Sequence, residues 1–186
     1  MPERAIYYGT TQILSDVAHR RIRRSEQSIA ARHLLDVVAR KAETSGAAGF
    51  QHSSLAHSRT ICACAIGIGV RVGIDIEWMS PGRNGRRILE LLCGLQLSAV
   101  STTEFYRAWT FSEAYFKATG NTADKSMLHH VIQNPSDDIV HVHLDGNGNM
   151  LSFVQMNIFY DFMLSIIWIT QDAEVDIRVV SDRYES

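Results

Sequence analysis

The sequence has few cysteines and prolines and no long apolar run. Three cysteines and three prolines occur among 186 residues, and a low, odd number of cysteines argues against the disulfide framework of a small secreted domain. No run of roughly 18 apolar residues is present, as a membrane-spanning helix would need. The first segment, "MPERAIYYGT", lacks the basic start and apolar core of a signal peptide. We therefore expect a cytoplasmic protein with reduced thiols and no membrane partner.

The sequence also lacks an excess of either charge. Lysine and arginine together number 18, aspartate and glutamate number 20, and the net charge is −2. Such a balance argues against a protein whose main partner is nucleic acid or a membrane surface. Hydrophobic residues make up 46% and charged residues 20% of the chain, which is typical of a folded domain. This length fits one domain, or two small lobes that share a core.

Local patterns in the first half predict a strand, a helix and a pair of strands. An extended piece is expected at residues 4–8, and apolar residues at helical spacing predict a helix over 26–42. The small, polar segment 44–54 is predicted to be a loop. In residues 59–78, "RTICACAIGIGVRVGIDIEW", two apolar strands flank a glycine-containing turn at 67–69. That arrangement predicts a β-hairpin.

Capping signals predict the helices of the second half. The segment "MSPGRNG" breaks the strand pattern, and a short helix follows it and ends at Gly94. Ser101 and Glu104 form a capping box at the start of a longer helix, which Gly120 closes. Strands are predicted over 138–144, 150–159 and 161–169.

The break after the predicted hairpin divides the chain into two halves. Each half shows a helix followed by strands, and no internal sequence repeat accompanies this order. We expect an α+β fold with an N-terminal lobe over residues 1–80 and a C-terminal lobe over 81–186.

The strand "RVGIDIEW" carries two acids that share one face. Side chains two apart in a strand point the same way, so Asp75 and Glu77 lie together. Two carboxylates at that distance repel unless a cation lies between them. Alternatively, this face of the strand simply meets water. Gly73 within the strand indicates either a bulge or the close approach of another group.

The capped helix supplies a third acid and a lysine. Glu113 and Lys117 are one turn apart, an arrangement that by itself is typical of a surface ion pair. Combined with the strand, the pattern suggests a stronger interpretation. Asp75, Glu77 and Glu113 would form an all-oxygen site for Mg²⁺, and Lys117 would contact a phosphate beside it.

Two motifs together resemble the paired signature of the 4′-phosphopantetheinyl transferases, specifically the surfactin-synthetase-activating branch. "VGIDIE" is similar to the first motif of that family, and "RAWTFSEAYFKATG" is similar to the second. "SSLAHSRTICACA" resembles the Ser-His-Ser segment that precedes the first motif. "SIAARHLLDVVAR" resembles the Arg-x-Leu-Leu helix of the family.

The resemblance implies a fold, a reaction and partners. It implies two similar α+β lobes related by a pseudo-twofold axis, with coenzyme A bound in the cleft between them. The implied reaction is the Mg²⁺-dependent transfer of the phosphopantetheine arm of coenzyme A to a serine of an acyl or peptidyl carrier protein. Adenosine 3′,5′-bisphosphate is the implied second product. We expect a monomer, because two lobes in one chain are sufficient.

The resemblance also implies roles for single residues. Glu113 would bind the metal and help to deprotonate the incoming serine, and Lys117 would contact the pyrophosphate. His57 and Ser58 correspond to the pair near the 3′-phosphate of coenzyme A. The arginines expected to bind coenzyme A are Arg20, Arg24 and Arg32. Independently of the resemblance, Arg83, Arg86 and Arg87 would suit an acidic helix of the carrier protein, or they simply form a solvated basic turn.

The sequence departs from the family pattern in three places. Ser112 stands where the family has a lysine, Ala56 replaces the first serine of the Ser-His-Ser segment, and the Gly-Lys-Pro loop is absent. One alternative is a relative that binds coenzyme A or a carrier protein without catalysing transfer. Another is a metal-dependent nuclease, because acids and a lysine also serve phosphodiester cleavage.

Overall fold

A computed structural model describes residues 4–13, 24–46, 51–94, 99–143, 149–171 and 174–180. The strands are β1 (Ala5–Gln12), β2 (Gln51–Ser58), β3 (Ile61–Ile68), β4 (Arg71–Trp78), β5 (Val140–His143), β6 (Met150–Ile158), β7 (Phe162–Thr170) and β8 (Asp176–Val179). The helices are α1 (Arg24–Thr44), α2 (Gly85–Cys93), α3 (Thr102–Thr119) and α4 (Lys125–Gln133). In these parts of the chain no helix is long and apolar enough to cross a membrane.

The strands form two four-stranded sheets. The first has the order β2-β3-β1-β8 and the second has the order β4-β7-β6-β5. Neighbouring strands are antiparallel except for β1 and β8, which run parallel. The expected mixed α+β composition is confirmed, whereas the division at residue 80 remains a prediction.

Apolar side chains hold the sheets and helices together in four layers. Helix α1 packs on the outer face of the first sheet, where Leu34 and Val38 meet Cys62 and Cys64. The inner faces of the two sheets pack against each other, and helices α3 and α4 cover the outer face of the second sheet. Each fully buried Ile, Leu or Phe contributes roughly 2 kcal/mol. The two described cysteines, Cys62 and Cys64, are buried in this core.

The predicted caps of the second half are confirmed. The Ser101 side chain accepts a hydrogen bond from Glu104 N, and the Glu104 side chain accepts one from Ser101 N. These two bonds satisfy backbone donors that the first turn of a helix leaves unpaired. Gly120 ends α3 at φ 76° and Gly94 ends α2 at φ 58°, a backbone conformation that glycine adopts without strain.

The predicted β-hairpin of residues 59–78 is wrong. Strand β3 belongs to the first sheet and β4 to the second, so the turn at 67–69 links two sheets. A cross-sheet connection and a hairpin turn both call for glycine and carry the same local signal. The predicted loop over 44–54 is also wrong from residue 51 onward, because β2 begins there. Helix α4 and strand β8 were not predicted.

A row of side-chain hydrogen bonds joins the two sheets. β4 is an edge strand, and backbone N–H groups along its free edge donate to side chains of β2. The bonds run from Val72 N to His52 Nδ1 (3.3 Å), from Ile74 N to Ser54 Oγ (3.0 Å) and from Trp78 N to Ser58 Oγ (3.0 Å). Ala56 occupies the one position in this row that cannot accept. The row holds β4 in a fixed register against the first sheet.

Candidate functional site

Strand β4 and helix α3 approach each other closely at Gly73. A Cβ atom at this position would lie 1.9 Å from the carbonyl oxygen of Ala114, so only glycine fits here without moving the helix. Of the two alternatives for Gly73, the structure shows the close approach. Asp75 and Glu77 follow on the same face of β4, so their side chains point toward α3.

Lys117 of α3 contacts Asp75 of β4. Lys117 Nζ donates to Asp75 Oδ1 at 2.8 Å and to the carbonyl oxygen of Ile74 at 3.0 Å. Asp75 is 7% exposed. Its second oxygen, Oδ2, is buried and has no hydrogen-bond partner among the described residues. A buried carboxylate oxygen without a donor is costly and is an acceptor available to a bound cation.

Three carboxylates interact electrostatically at this point. Burial raises the pKa of the Asp75 carboxyl to about 7, the neighbouring Lys117 ammonium opposes this rise, and the negative charges of Glu77 and Glu113 add to it. Glu77 lies two residues after Asp75 on β4, and Glu113 lies on α3 one turn before Lys117. The fold thus brings together the four residues that the two motifs supply, although β4 and α3 are separated along the chain.

Ser58 holds Glu77 in position. Its Oγ donates to Glu77 Oε2 at 2.9 Å and accepts from the backbone N–H of Trp78 at 3.0 Å. Because Ser58 is buried, the bond is protected from water. The Ser-His-Ser-like segment therefore contributes to the site through Ser58.

A buried polar network lies behind Asp75, and the sequence analysis did not predict it. Ser165 of β7 is the strand partner of Asp75. Thr110 Oγ1 lies 2.7 Å from Ser165 Oγ, and Gln155 Nε2 donates to Ser165 Oγ at 2.7 Å. Thr110 Oγ1 also bonds the Tyr106 carbonyl at 2.7 Å, which requires its proton. Ser165 must then give its own proton to Thr110.

An open cleft of about 460 Å³ lies beside Glu77. Its lining comprises Ser58, Arg59, Glu77, Trp78, Ser80, Gly82, Arg83 and Tyr106. Ser80 N donates to the Tyr106 hydroxyl at 3.0 Å, which ties the segment after β4 to α3. The cleft gives a ligand access to Glu77, the carboxylate in its lining. Arg59 was not among the predicted site residues, because a lone arginine after a strand carries no local signal.

The structure leaves the other predicted binding residues at the surface. His57 on β2 and Arg24 and Arg32 on α1 are exposed. The described hydrogen bonds and ion pairs connect none of their side chains to Asp75, Glu77 or Glu113. Arg20 lies outside the described residues.

The donor set matches a hard divalent cation, although no metal cage is preformed. Among the described residues, no three His, Cys, Asp or Glu side chains are gathered closely enough to hold an ion. Mg²⁺ does not need such a cage, because it is usually bound through one or two carboxylates together with water and substrate phosphates. The unpartnered Asp75 Oδ2 and the nearby glutamates provide oxygen ligands of this kind. The residues present therefore fit Mg²⁺.

Comparison with known proteins indicates which class of protein this chain is similar to. The family model of the 4′-phosphopantetheinyl transferase superfamily matches residues 71–156, a segment that includes β4, α3 and all four motif residues. This match supports the resemblance at the level of the superfamily.

A similar protein is the 4′-phosphopantetheinyl transferase HetI of Nostoc sp. (strain PCC 7120 / SAG 25.82 / UTEX 2576). The two chains are 34% identical over 77 residues, which cover 37% of this chain and 32% of HetI. The chain thus aligns with about a third of the length of this relative.

Proposed function

We propose that this protein transfers the 4′-phosphopantetheine arm of coenzyme A to a serine of an acyl or peptidyl carrier protein. The observation that carries the proposal is the convergence of Lys117, Glu77 and Glu113 on the buried Asp75 carboxylate. These residues all lie in the segment that matches the superfamily. We further propose that the protein is of the surfactin-synthetase-activating branch and acts in the cytoplasm as a monomer.

Asp75, Glu77 and Glu113 are the proposed holders of Mg²⁺. When bound, the ion would neutralise the charge on the pyrophosphate of coenzyme A and orient it. The unpartnered Asp75 Oδ2 supports this role, as does the hydrogen bond from Ser58 that fixes Glu77. We assign Ser58 to positioning Glu77, because its hydroxyl is already used for that bond.

Lys117 is the proposed contact for the pyrophosphate. Its ammonium lies at the Asp75 carboxylate, next to the place where the phosphates would bind. There it would stabilise the negative charge that collects on the leaving group.

The transfer itself is a displacement at phosphorus. The serine oxygen of the carrier forms a bond to the β-phosphorus, and the bond from that phosphorus to the bridging oxygen breaks. Adenosine 3′,5′-bisphosphate leaves with the electron pair of the broken bond. Glu113 takes the serine proton, directly or through water. His57, Arg20, Arg24 and Arg32 are the proposed contacts for the phosphates of coenzyme A; His57, Arg24 and Arg32 are exposed and hence accessible.

We propose that the two halves are related lobes about a pseudo-twofold axis, divided at 1–80 and 81–186. In support, the fold consists of two four-stranded sheets. One long helix packs on the outer face of each, α1 on the first and α3 on the second.

A non-catalytic relative that binds coenzyme A or a carrier protein is the second candidate. Two observations favour it: Ser112 stands where the family has a lysine, and the described side chains form no ready metal cage.

Mass spectrometry of a carrier protein tests the proposal directly. Apo carrier protein, coenzyme A, Mg²⁺ and this protein are mixed, and the carrier is weighed. We expect a gain of one phosphopantetheine arm, which a chelator prevents. Asp75→Ala should abolish the gain and Asp138→Ala, which removes an exposed acid, should not. Binding of coenzyme A with no gain on any of several carriers would establish the second candidate instead.

A further inference from the structure

The cleft beside Glu77 carries two arginines, Arg59 and Arg83, to which the roles above assign no contact with coenzyme A. Arg59 follows β2 directly, and Arg83 lies between β4 and α2. Two cations from different parts of the chain thus line the same cleft as Glu77, a proposed metal ligand.

Aromatic rings support both guanidinium groups. Arg59 Cζ lies 3.0 Å from the centre of the Trp78 ring, and Arg83 Cζ lies 5.0 Å from that of Trp109. A guanidinium that rests on a ring uses its flat face for the contact, so its N–H groups remain free to bind an anion in the plane. In the described part of the chain, neither guanidinium has a hydrogen bond or an ion pair.

The backbone of Arg59 is held in an unusual conformation. Its φ is 51°, in the left-handed region that costs energy for a residue other than glycine. The side chain of Gln27, itself buried, donates from Nε2 to the Arg59 carbonyl at 2.7 Å. This bond holds the segment in place, so the position of the arginine is built into the fold.

We propose that Arg59 and Arg83 bind the pyrophosphate of coenzyme A. Phosphate oxygens match guanidinium N–H groups in charge and geometry, and Glu77 in the same cleft would share the metal that the pyrophosphate binds. The pair supplies the positive charge that the family places at position 112, where this chain has a serine. Arg83 rests on Trp109, one helical turn before that serine. The inference rests on the proposed function.

Calorimetric titration with coenzyme A in Mg²⁺ tests the pair. Arg59→Ala and Arg83→Ala should each weaken binding about tenfold or more, as expected for a hydrogen-bonded charge pair. Arg83→Lys keeps the positive charge and should therefore bind coenzyme A more tightly than Arg83→Ala does. Arg40→Ala, which removes an exposed arginine of α1 outside the cleft, should bind like the unchanged protein. Thermal melts establish that each variant is folded.

A second ligand identifies the phosphate involved. Dephospho-coenzyme A has the pyrophosphate but no 3′-phosphate. The arginine substitutions should therefore lower the affinity for coenzyme A and for dephospho-coenzyme A by the same factor. His57→Ala, in the proposed 3′-phosphate site, should weaken only coenzyme A. If the arginine variants lost affinity for coenzyme A but not for dephospho-coenzyme A, the assignment to the pyrophosphate would be wrong.

The two proposals fail in different ways. If the unchanged protein transfers the arm and the arginine variants bind coenzyme A as tightly as it does, this inference is wrong and the proposed function stands. If the unchanged protein neither binds coenzyme A nor modifies any carrier, both are wrong.

Discussion

Asp75 combines a buried carboxylate, a lysine partner and two acidic neighbours. Burial raises its pKa from 3.8 to about 7, and the charges of Glu77 and Glu113 act in the same direction. Lys117 provides only partial compensation, because it contacts one of the two oxygens. The site is therefore under electrostatic strain when no cation is bound, as is common where function opposes stability.

The raised pKa predicts a pH dependence of stability. The folded state holds the Asp75 proton more tightly than the unfolded state, so ionisation favours unfolding. The contribution of Asp75 to the free energy of unfolding should thus be fully present below about pH 4. It should be lost as the pH rises to about 7, at roughly 1 kcal/mol per pH unit.

Denaturant unfolding in chelator measures this effect. Asp75→Asn should be more stable than the unchanged protein at about pH 8. Its free energy of unfolding should also depend less on pH between about pH 4 and about pH 7. An unchanged pH profile in the variant would show that Asp75 is not the group that titrates.

At the scale of secondary-structure elements, the site depends on the close packing of helix α3 against strand β4. Lys117 of α3 reaches Asp75 because the strand has no side chain at Gly73, where Ala114 O would lie 1.9 Å from a Cβ atom. The regular capping of α3 at Ser101 and Gly120 makes this helix a rigid body.

Gly73→Ala should push α3 away from β4. We expect a loss of about 3 kcal/mol of unfolding free energy, since overpacking against backbone cannot be relieved by a side-chain rotation. Gly82→Ala is the control for stability, because nothing lies within 4 Å of the added atom. Equal stability of the two variants, measured by denaturant unfolding, would contradict the close approach.

At the scale of the whole molecule, the two sheets are joined by side chains as well as by apolar packing. The row from β2 to the edge of β4 satisfies backbone donors that an edge strand otherwise exposes. The row includes Ser58, which also bonds Glu77, so the contact between sheets and the geometry of the site are coupled.

Ser54→Ala tests this row without touching the site. It removes the acceptor of the buried Ile74 N–H and should cost about 1 to 3 kcal/mol in unfolding free energy. Ser53→Ala, at the exposed neighbouring position, should change stability by less than about 0.5 kcal/mol. A Ser54 variant as stable as the Ser53 variant would show that water or another group replaces the bond.

The sequence by itself determined the features that depend on neighbouring residues. Capping signals defined α2 and α3, and alternation placed Asp75 and Glu77 on one face of β4, opposite Ile74 and Ile76. Both signals act over a few residues, so they can be read along the chain. The two motifs also pointed to the superfamily whose model matches residues 71–156, because their joint occurrence is specific.

Only the tertiary structure decided which distant elements meet. The pairing of β4 with β7, the contact of Lys117 with Asp75 and the arrival of Arg59 beside Glu77 all depend on packing between remote segments. The glycine turn before β4 has the same local chemistry whether the chain folds back as a hairpin or crosses to a second sheet. That choice is made by the apolar faces that become buried, and their partners lie elsewhere in the chain.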